Sequence, residues 1–174
     1  MAGPDMQRLF IALAPPPMLL PSLVTLRDQL HAEVGGRAMP AANLHLTLAF
    51  LGETPAAQVP VLLARLATLS RHRAHWRIDR VGSFKTGSPK GCIVWAGGPA
   101  SAGLTELVGT LWQALREDGM AFDAKPFVPH VTLLRAAGSV ARTMPPLIWP
   151  LAVPQLYASI ATAQGPRYAR LGDP

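Results

Sequence analysis

The sequence predicts an α+β fold built on an internal duplication. Two observations carry that reading. Apolar residues recur with period two in some segments and at helical spacing in others, in the order strand–helix–strand–helix–strand–strand–helix–strand. The pattern H-x-T-L also occurs twice, at His45–Leu48 and His130–Leu133, about half the 174-residue chain apart. Each copy follows a predicted helix and sits on a predicted strand.

The elements follow in order. Arg8–Leu13 is a short apolar run that reads as a buried strand. Leu19, Leu23, Leu26 and Leu30 then recur at helical spacing, with a start near Pro17 or Pro21 and a stop at Gly35-Gly36. From Asn43 to Leu51, Leu44, Leu46, Leu48 and Phe50 alternate with His45, Thr47 and Ala49, which predicts a strand. Thr54-Pro55 reads as a cap and first-turn proline for a helix with Val59, Leu62, Leu63, Leu66 and Leu69 on one face. Trp76–Phe84 and Cys92–Trp95 read as two strands around a Gly/Ser/Pro/Lys loop. A third helix follows Pro99, faces Leu104, Leu107, Leu111 and Leu115 inward, and stops at Gly119. Pro129–Leu134 is the next strand. The proline-broken tail holds strand-like runs at Leu147–Leu151, Gln155–Thr162 and Tyr168–Leu171.

Composition narrows the function classes. The length fits one domain spanning residues 1–174. Apolar residues make up 49 %, enough for a core, and 15 Gly with 18 Pro fall below a low-complexity share, which argues against disorder, collagen and coiled coil. The single cysteine, Cys92, excludes a disulfide-stapled scaffold and a Cys-rich zinc site. The net charge of +6 rests on 13 Arg and 3 Lys, and Arg grips phosphate with a planar fork. That balance favours anionic partners such as RNA, nucleotides or membrane surfaces; an Ala-, Pro- and Arg-rich composition that reflects a GC-rich genome is the plain alternative. Leu9–Ala14 is too short for a signal core or a membrane span, so a cytoplasmic protein is expected.

The paired motif carries the chemistry. Random placement of these residue types gives about 0.04 H-x-T-L matches, so two copies are a specific signal. On a strand, residues i and i+2 share a face. His45 and Thr47 therefore point together, as do His130 and Thr132. If the duplicated halves bring these strands side by side, two hydroxyls can hold a phosphate while two imidazoles flank it. With an ordinary pKa of about 6.5, one imidazole can act as acid while the other acts as base. That division suits in-line attack on a phosphodiester without a metal.

NLHLTLAFLG and KPFVPHVTLLR resemble the two motifs of the two-histidine phosphoesterase superfamily. More narrowly, they resemble its LigT/ThpR branch, the RNA 2′,3′-cyclic phosphodiesterases historically called 2′-5′ RNA ligases. RLFIALAPP at the start, GSF and CIVWAG between the motifs, and LYASIATAQGPRYARL at the end extend the resemblance. The stretch Ala136–Trp149 fits least. The resemblance implies a bilobal α+β fold, two pseudo-symmetric antiparallel sheets with outer helices around a central cleft, in one domain. It implies metal-independent, cofactor-free hydrolysis of a ribose 2′,3′-cyclic phosphate to a 2′-phosphomonoester by a monomer acting on RNA or a nucleotide, with no membrane partner. His45 matches the proton donor and His130 the proton acceptor. Thr47, Thr132 and Arg135 match the phosphate-holding residues. Arg135 is five positions beyond His130, an odd offset that places it off the histidine's face unless a strand end or a bulge turns it inward. Phe50 stands at the same offset from His45.

Other candidates carry less. Arg71, His72, Arg73, His75, Trp76, Arg77 and Arg80 form a basic run that could track RNA, but the Trp76/Ile78 alternation reads as a strand with a solvated face. His72 and His75 lack the further ligands a metal needs. Cys92 sits in an apolar run and reads as structural. Lys85 and Lys90 read as surface cations, and Phe10 and Phe127 as core residues that could stack a base beside a cleft. Two rival functions remain open: action on 2′-5′ oligonucleotides or other small nucleotides, ligation included, and a nucleotide- or RNA-binding module without catalysis.

Overall fold

Two antiparallel sheets flank a cleft, and the two H-x-T motifs enter it from strands of different sheets. The computed structural model describes residues 3–70, 73–87 and 89–172. Its elements are β1 (Met6–Leu13), α1 (Leu20–Val34), β2 (Arg37–Ala38), β3 (Leu46–Pro55), α2 (Val59–Ala67), β4 (His75–Lys85), β5 (Cys92–Gly97), α3 (Ala102–Glu117), β6 (His130–Ala137), β7 (Arg142–Pro150), β8 (Gln155–Ile160) and β9 (Arg167–Leu171). One sheet has the order β3-β1-β8-β9 and the other β2-β6-β5-β4-β7.

The duplication shows in these orders. In one lobe β1 leads through α1 to the antiparallel neighbour β3; in the other β5 leads through α3 to β6. Strands β8 and β9 take the places that β4 and β7 hold opposite. The tail therefore returns to complete the first sheet, and β2 is added on the free edge of β6. Leu9, Ile11 and Leu13, Leu46 and Leu48, and Val131 and Leu133 are fully buried in the core, while Phe10, Thr47 and His130 face the cleft.

Local chemistry sets the helix ends. Pro21 stands in the first turn of α1 and Gly35 caps its end at φ 68°. Ser101 caps α3 by accepting from Leu104 N at 3.1 Å. Thr54 and Pro55 do not start a helix. They continue β3, opposite Gln7 and Met6 of β1, and the first-turn proline of α2 is Pro60. Proline is tolerated there because β3 is an edge strand. The same reason lets β7 carry Pro145 and Pro146.

Both motif strands are broken just beyond the motif by the same device. Thr47 faces Ala12 but Ala49 faces Ile11, so Leu48 is an extra residue. Thr132 faces Trp95 but Leu134 faces Val94, so Leu133 is extra. At each bulge two successive residues are buried, Leu48 with Ala49 and Leu133 with Leu134. The next residues, Phe50 and Arg135, are thereby turned to the cleft. A second irregularity follows in each strand, with Gly52 at φ 68° in β3 and Ala136 at φ 53° in β6. Ala136 holds a left-handed conformation that a side chain disfavours by about 1–2 kcal/mol. Ala136→Gly is therefore expected to raise stability by about 1 kcal/mol, seen as a Tm increase of roughly 2–4 °C; an unchanged or lower Tm contradicts the assignment of strain.

Candidate active site

Each motif histidine is locked by the same hydrogen bond. His45 Nδ1 lies 2.7 Å from the Asn43 carbonyl oxygen, and His130 Nδ1 lies 2.7 Å from the Val128 carbonyl oxygen. A carbonyl only accepts, so Nδ1 carries the hydrogen in both rings and Nε2 is left as the working nitrogen. His45 Nε2 lies 2.7 Å from Thr47 Oγ1; with the ring neutral, the hydroxyl donates to it. Asn43 is itself buried and pinned, donating from its amide to Pro166 O at 2.8 Å and accepting from Tyr168 N. The tail strand is thus tied to the residue that orients His45.

Aromatic rings wall both imidazoles. Phe10 lies 4.9 Å from His45, and Tyr168 stands edge-on to it at 5.2 Å. Phe84 stands edge-on to His130 at 5.0 Å and packs on Trp95 at 5.3 Å. Trp95 covers Gly82 so closely that a Cβ there would sit 2.4 Å from the indole. These rings strip water from the site, and burial is the main cause that holds both imidazoles below their ordinary pKa. The carbonyl bonds oppose it. The positive charge of Arg135 lowers both further, and His130 lowers His45 as well. The two histidines are therefore near enough to repel as cations, and a bound phosphate anion would relieve both.

The cleft has two chambers. The larger, about 860 Å³, is lined by Phe10, His45, Phe50, Arg135 and Tyr168 among others. The smaller, about 250 Å³, is lined by Thr47, Phe84, Trp112, Phe127 and His130. Phe50 and Asp123 border both. The strap that carries Asp123 is fastened by its backbone N–H to Phe50 O at 2.8 Å. Trp112 Nε1 donates to Leu48 O at 2.9 Å, so α3 holds the bulge carbonyl beside the motif.

The structure brings His45, Thr47 and His130 to the cleft walls, and Arg135 turns inward at the bulge, as its offset required. Thr132 lies on the same strand two residues beyond His130, opposite Trp95. Phe10 and Phe127 both border the cleft rather than serving the core alone. Phe50, exposed at 53 %, borders both chambers, and the sequence signal for it is the five-residue offset it shares with Arg135.

The remaining candidates lie elsewhere. Arg71 and His72 fall outside the described residues. Trp76 and Ile78 are fully buried while Arg77 and Arg80 pair with Asp79, which makes this strand face a solvated one. Cys92 pairs within the sheet opposite Lys85, and neither Lys85, Lys90 nor Cys92 borders either chamber. Among the described residues, no group of three or more His, Cys, Asp or Glu is arranged to hold a metal ion, and no helix is long and apolar enough to cross a membrane.

Comparison with known proteins agrees with this geometry. The family model described as LigT like Phosphoesterase matches residues 13–94, which include the first motif. The RNA 2′,3′-cyclic phosphodiesterase of Escherichia coli (strain K12) is 32 % identical over 169 residues, covering 95 % of this chain and 94 % of its own. The Thermus thermophilus protein of the same name is 32 % identical over 179 residues, covering 94 % of this chain and 87 % of its own. The crystal structure of E. coli LigT complexed with 3′-AMP superposes with a TM-score of 0.78 at 32 % identity over 97 % of both chains. The LigT complex with NADP+ gives 0.76 at 33 % identity, over 97 % of this chain and 96 % of that one. A duplicated sheet pair with matched histidine clamps, and relatives that align along nearly its whole length, establish that this chain belongs to the LigT-like phosphoesterase family.

Proposed function

We propose that this protein hydrolyses RNA 2′,3′-cyclic phosphate ends to 2′-phosphomonoesters, with His45 and His130 as the acid and base. The observation that carries the reading is the pair of Nε2 atoms presented to one cleft by identical Nδ1–carbonyl bonds. Relatives bearing the name RNA 2′,3′-cyclic phosphodiesterase support the substrate class.

The chamber sizes support the division of roles. A nucleoside fits the larger chamber, beside His45, with its base against Phe10 and Arg135. Its 3′ oxygen, the leaving group, then faces His45. Water approaches from the side of His130. His130 Nε2 takes the water proton as its oxygen bonds to phosphorus, and the P–O3′ bond breaks as His45 Nε2 protonates O3′. Thr47, Thr132 and Arg135 hold the phosphate oxygens, so Thr47 exchanges its bond to His45 for one to phosphate and frees Nε2. Both motifs come from one chain, which fits a monomer acting as one bilobal domain.

The reading predicts a bell-shaped pH profile of kcat/KM, because one imidazole must be charged and the other neutral. Burial and Arg135 hold both below 6.5 in the free protein, so the optimum is expected on the acid side of that value. Activity is expected to persist in EDTA. Assay of a short RNA ending in a 2′,3′-cyclic phosphate across pH checks both points. A rate that rises steadily through pH 8, or one abolished by EDTA, contradicts the mechanism.

A second reading has its own observation. The chamber beside His130 is about 250 Å³ and aromatic, far larger than one water requires. A nucleoside hydroxyl there could replace water, which would extend the activity to 2′-5′ phosphodiesters in either direction.

A further inference from the structure

We propose that the cleft is built for an oligonucleotide end rather than a mononucleotide, and that Arg8 and Arg37 hold the phosphate upstream of the cyclic one. This rests on the proposed function and adds a subsite to it.

Three observations carry the inference. The first is charge pairing. Arg65, Arg80 and Arg142 are neutralised by Asp118, Asp79 and Glu33 at 2.6–2.8 Å. Arg8, Arg37 and Arg135, like Arg73, Arg116 and Arg167, have no ion pair among the described residues; of these, Arg8 and Arg135 line the larger chamber and Arg37 lies beside its Gly165. The second is placement. Arg8 lines that chamber and lies on the same face of β1 as Phe10, two residues farther from the motif. Its cross-strand neighbour Glu53 does not pair with it. Arg37 reaches the rim from the other sheet. Its guanidinium lies over Gly165, a chamber residue, close enough that a Cβ there would sit 3.1 Å from Nη1.

The third is the cost of the arrangement. Arg37 stands directly opposite Arg135 in the β2–β6 pairing. Like charges opposite each other destabilise a sheet. The strand that carries Arg37, β2, is also the one strand that breaks the symmetry of the two sheets. Two rim arginines from different lobes, facing a chamber of about 860 Å³, suit a chain that leaves the chamber as a polyanion. Asp123, the carboxylate bordering the chamber, lies within 3.8 Å of Lys125 Nζ, which offsets its charge.

The test compares kcat/KM for a dinucleotide ending in a 2′,3′-cyclic phosphate with that for the matching mononucleoside 2′,3′-cyclic phosphate. The wild-type protein is expected to favour the dinucleotide by about tenfold or more, the scale of one charge-assisted hydrogen bond. The ratio is expected to fall toward one in the Arg8→Gln/Arg37→Gln variant. It is expected to fall likewise for the wild-type protein when the upstream linkage is an uncharged methylphosphonate, an arm that needs no variant to fold. Equal kcat/KM for the two substrates, or a preference that survives the methylphosphonate, overturns the subsite and leaves the proposed function standing. No turnover of either substrate overturns the proposed function and this inference with it.

Discussion

Replacing His45 or His130 with alanine is expected to lower kcat/KM on a 2′,3′-cyclic phosphate by about 10²–10⁴-fold or more for each lost proton transfer. The double variant is expected to be little worse than either single one, because the two groups act in one proton-transfer sequence. Each ring is half-buried at the mouth of its strand, and its Nδ1 bond is made to a backbone carbonyl of its own segment. The folded state is therefore expected to survive, which thermal unfolding of each variant checks. Steady-state kinetics on the two single variants and the double decide the matter. Near-normal turnover by either single variant contradicts the assignment, and multiplicative losses contradict the coupling.

The second large effect is expected at the threonines. Thr47→Val and Thr132→Val keep the shape but remove the donor, and each is expected to lower kcat by roughly 10²–10³-fold, as for loss of one preorganised donor to developing charge. Thr→Ser is expected to restore most of the rate, since the hydroxyl remains. Thr47 carries a second consequence. Its hydroxyl bonds to His45 Nε2 in the free protein, so Thr47→Val also removes that partner and is expected to change the pH profile. Thr132→Val is expected to leave the profile's shape intact. Identical profiles for both variants would remove the role of the Thr47–His45 bond.

Much of this was legible because the residues carry two independent periodicities. Alternation around His45 and His130 gave the motif strands, and the shared face of His45 and Thr47 is seen in the bond between them. Leucine spacing gave α1 and α3 with their glycine stops. The inward turn of Arg135 was legible as a condition: an odd offset demands a bulge, and the bulge at Leu133 supplies it. Phe50 obeys the same rule through Leu48, yet an apolar residue inside an apolar run gives no sign that it faces solvent. β2 is two residues long and exists because β6 offers it an edge, which no local pattern encodes. The return of β8 and β9 to the first sheet is likewise a matter of pairing partners from opposite ends of the chain. Thr54-Pro55 reads as a helix start in the sequence but continues β3, because cap chemistry and an edge-strand proline look alike until the β1 partner is known.

In the proposed reaction, two clamped imidazoles open a ribose cyclic phosphate from opposite sides, with His45 beside the leaving 3′ oxygen. The most direct test incubates the purified protein, in EDTA, with a short RNA ending in a 2′,3′-cyclic phosphate and resolves the 2′- from the 3′-phosphate product. The 2′-phosphate is expected to accumulate and to be lost in His45→Ala; a 3′-phosphate product, or no product from this RNA, overturns the proposed reaction.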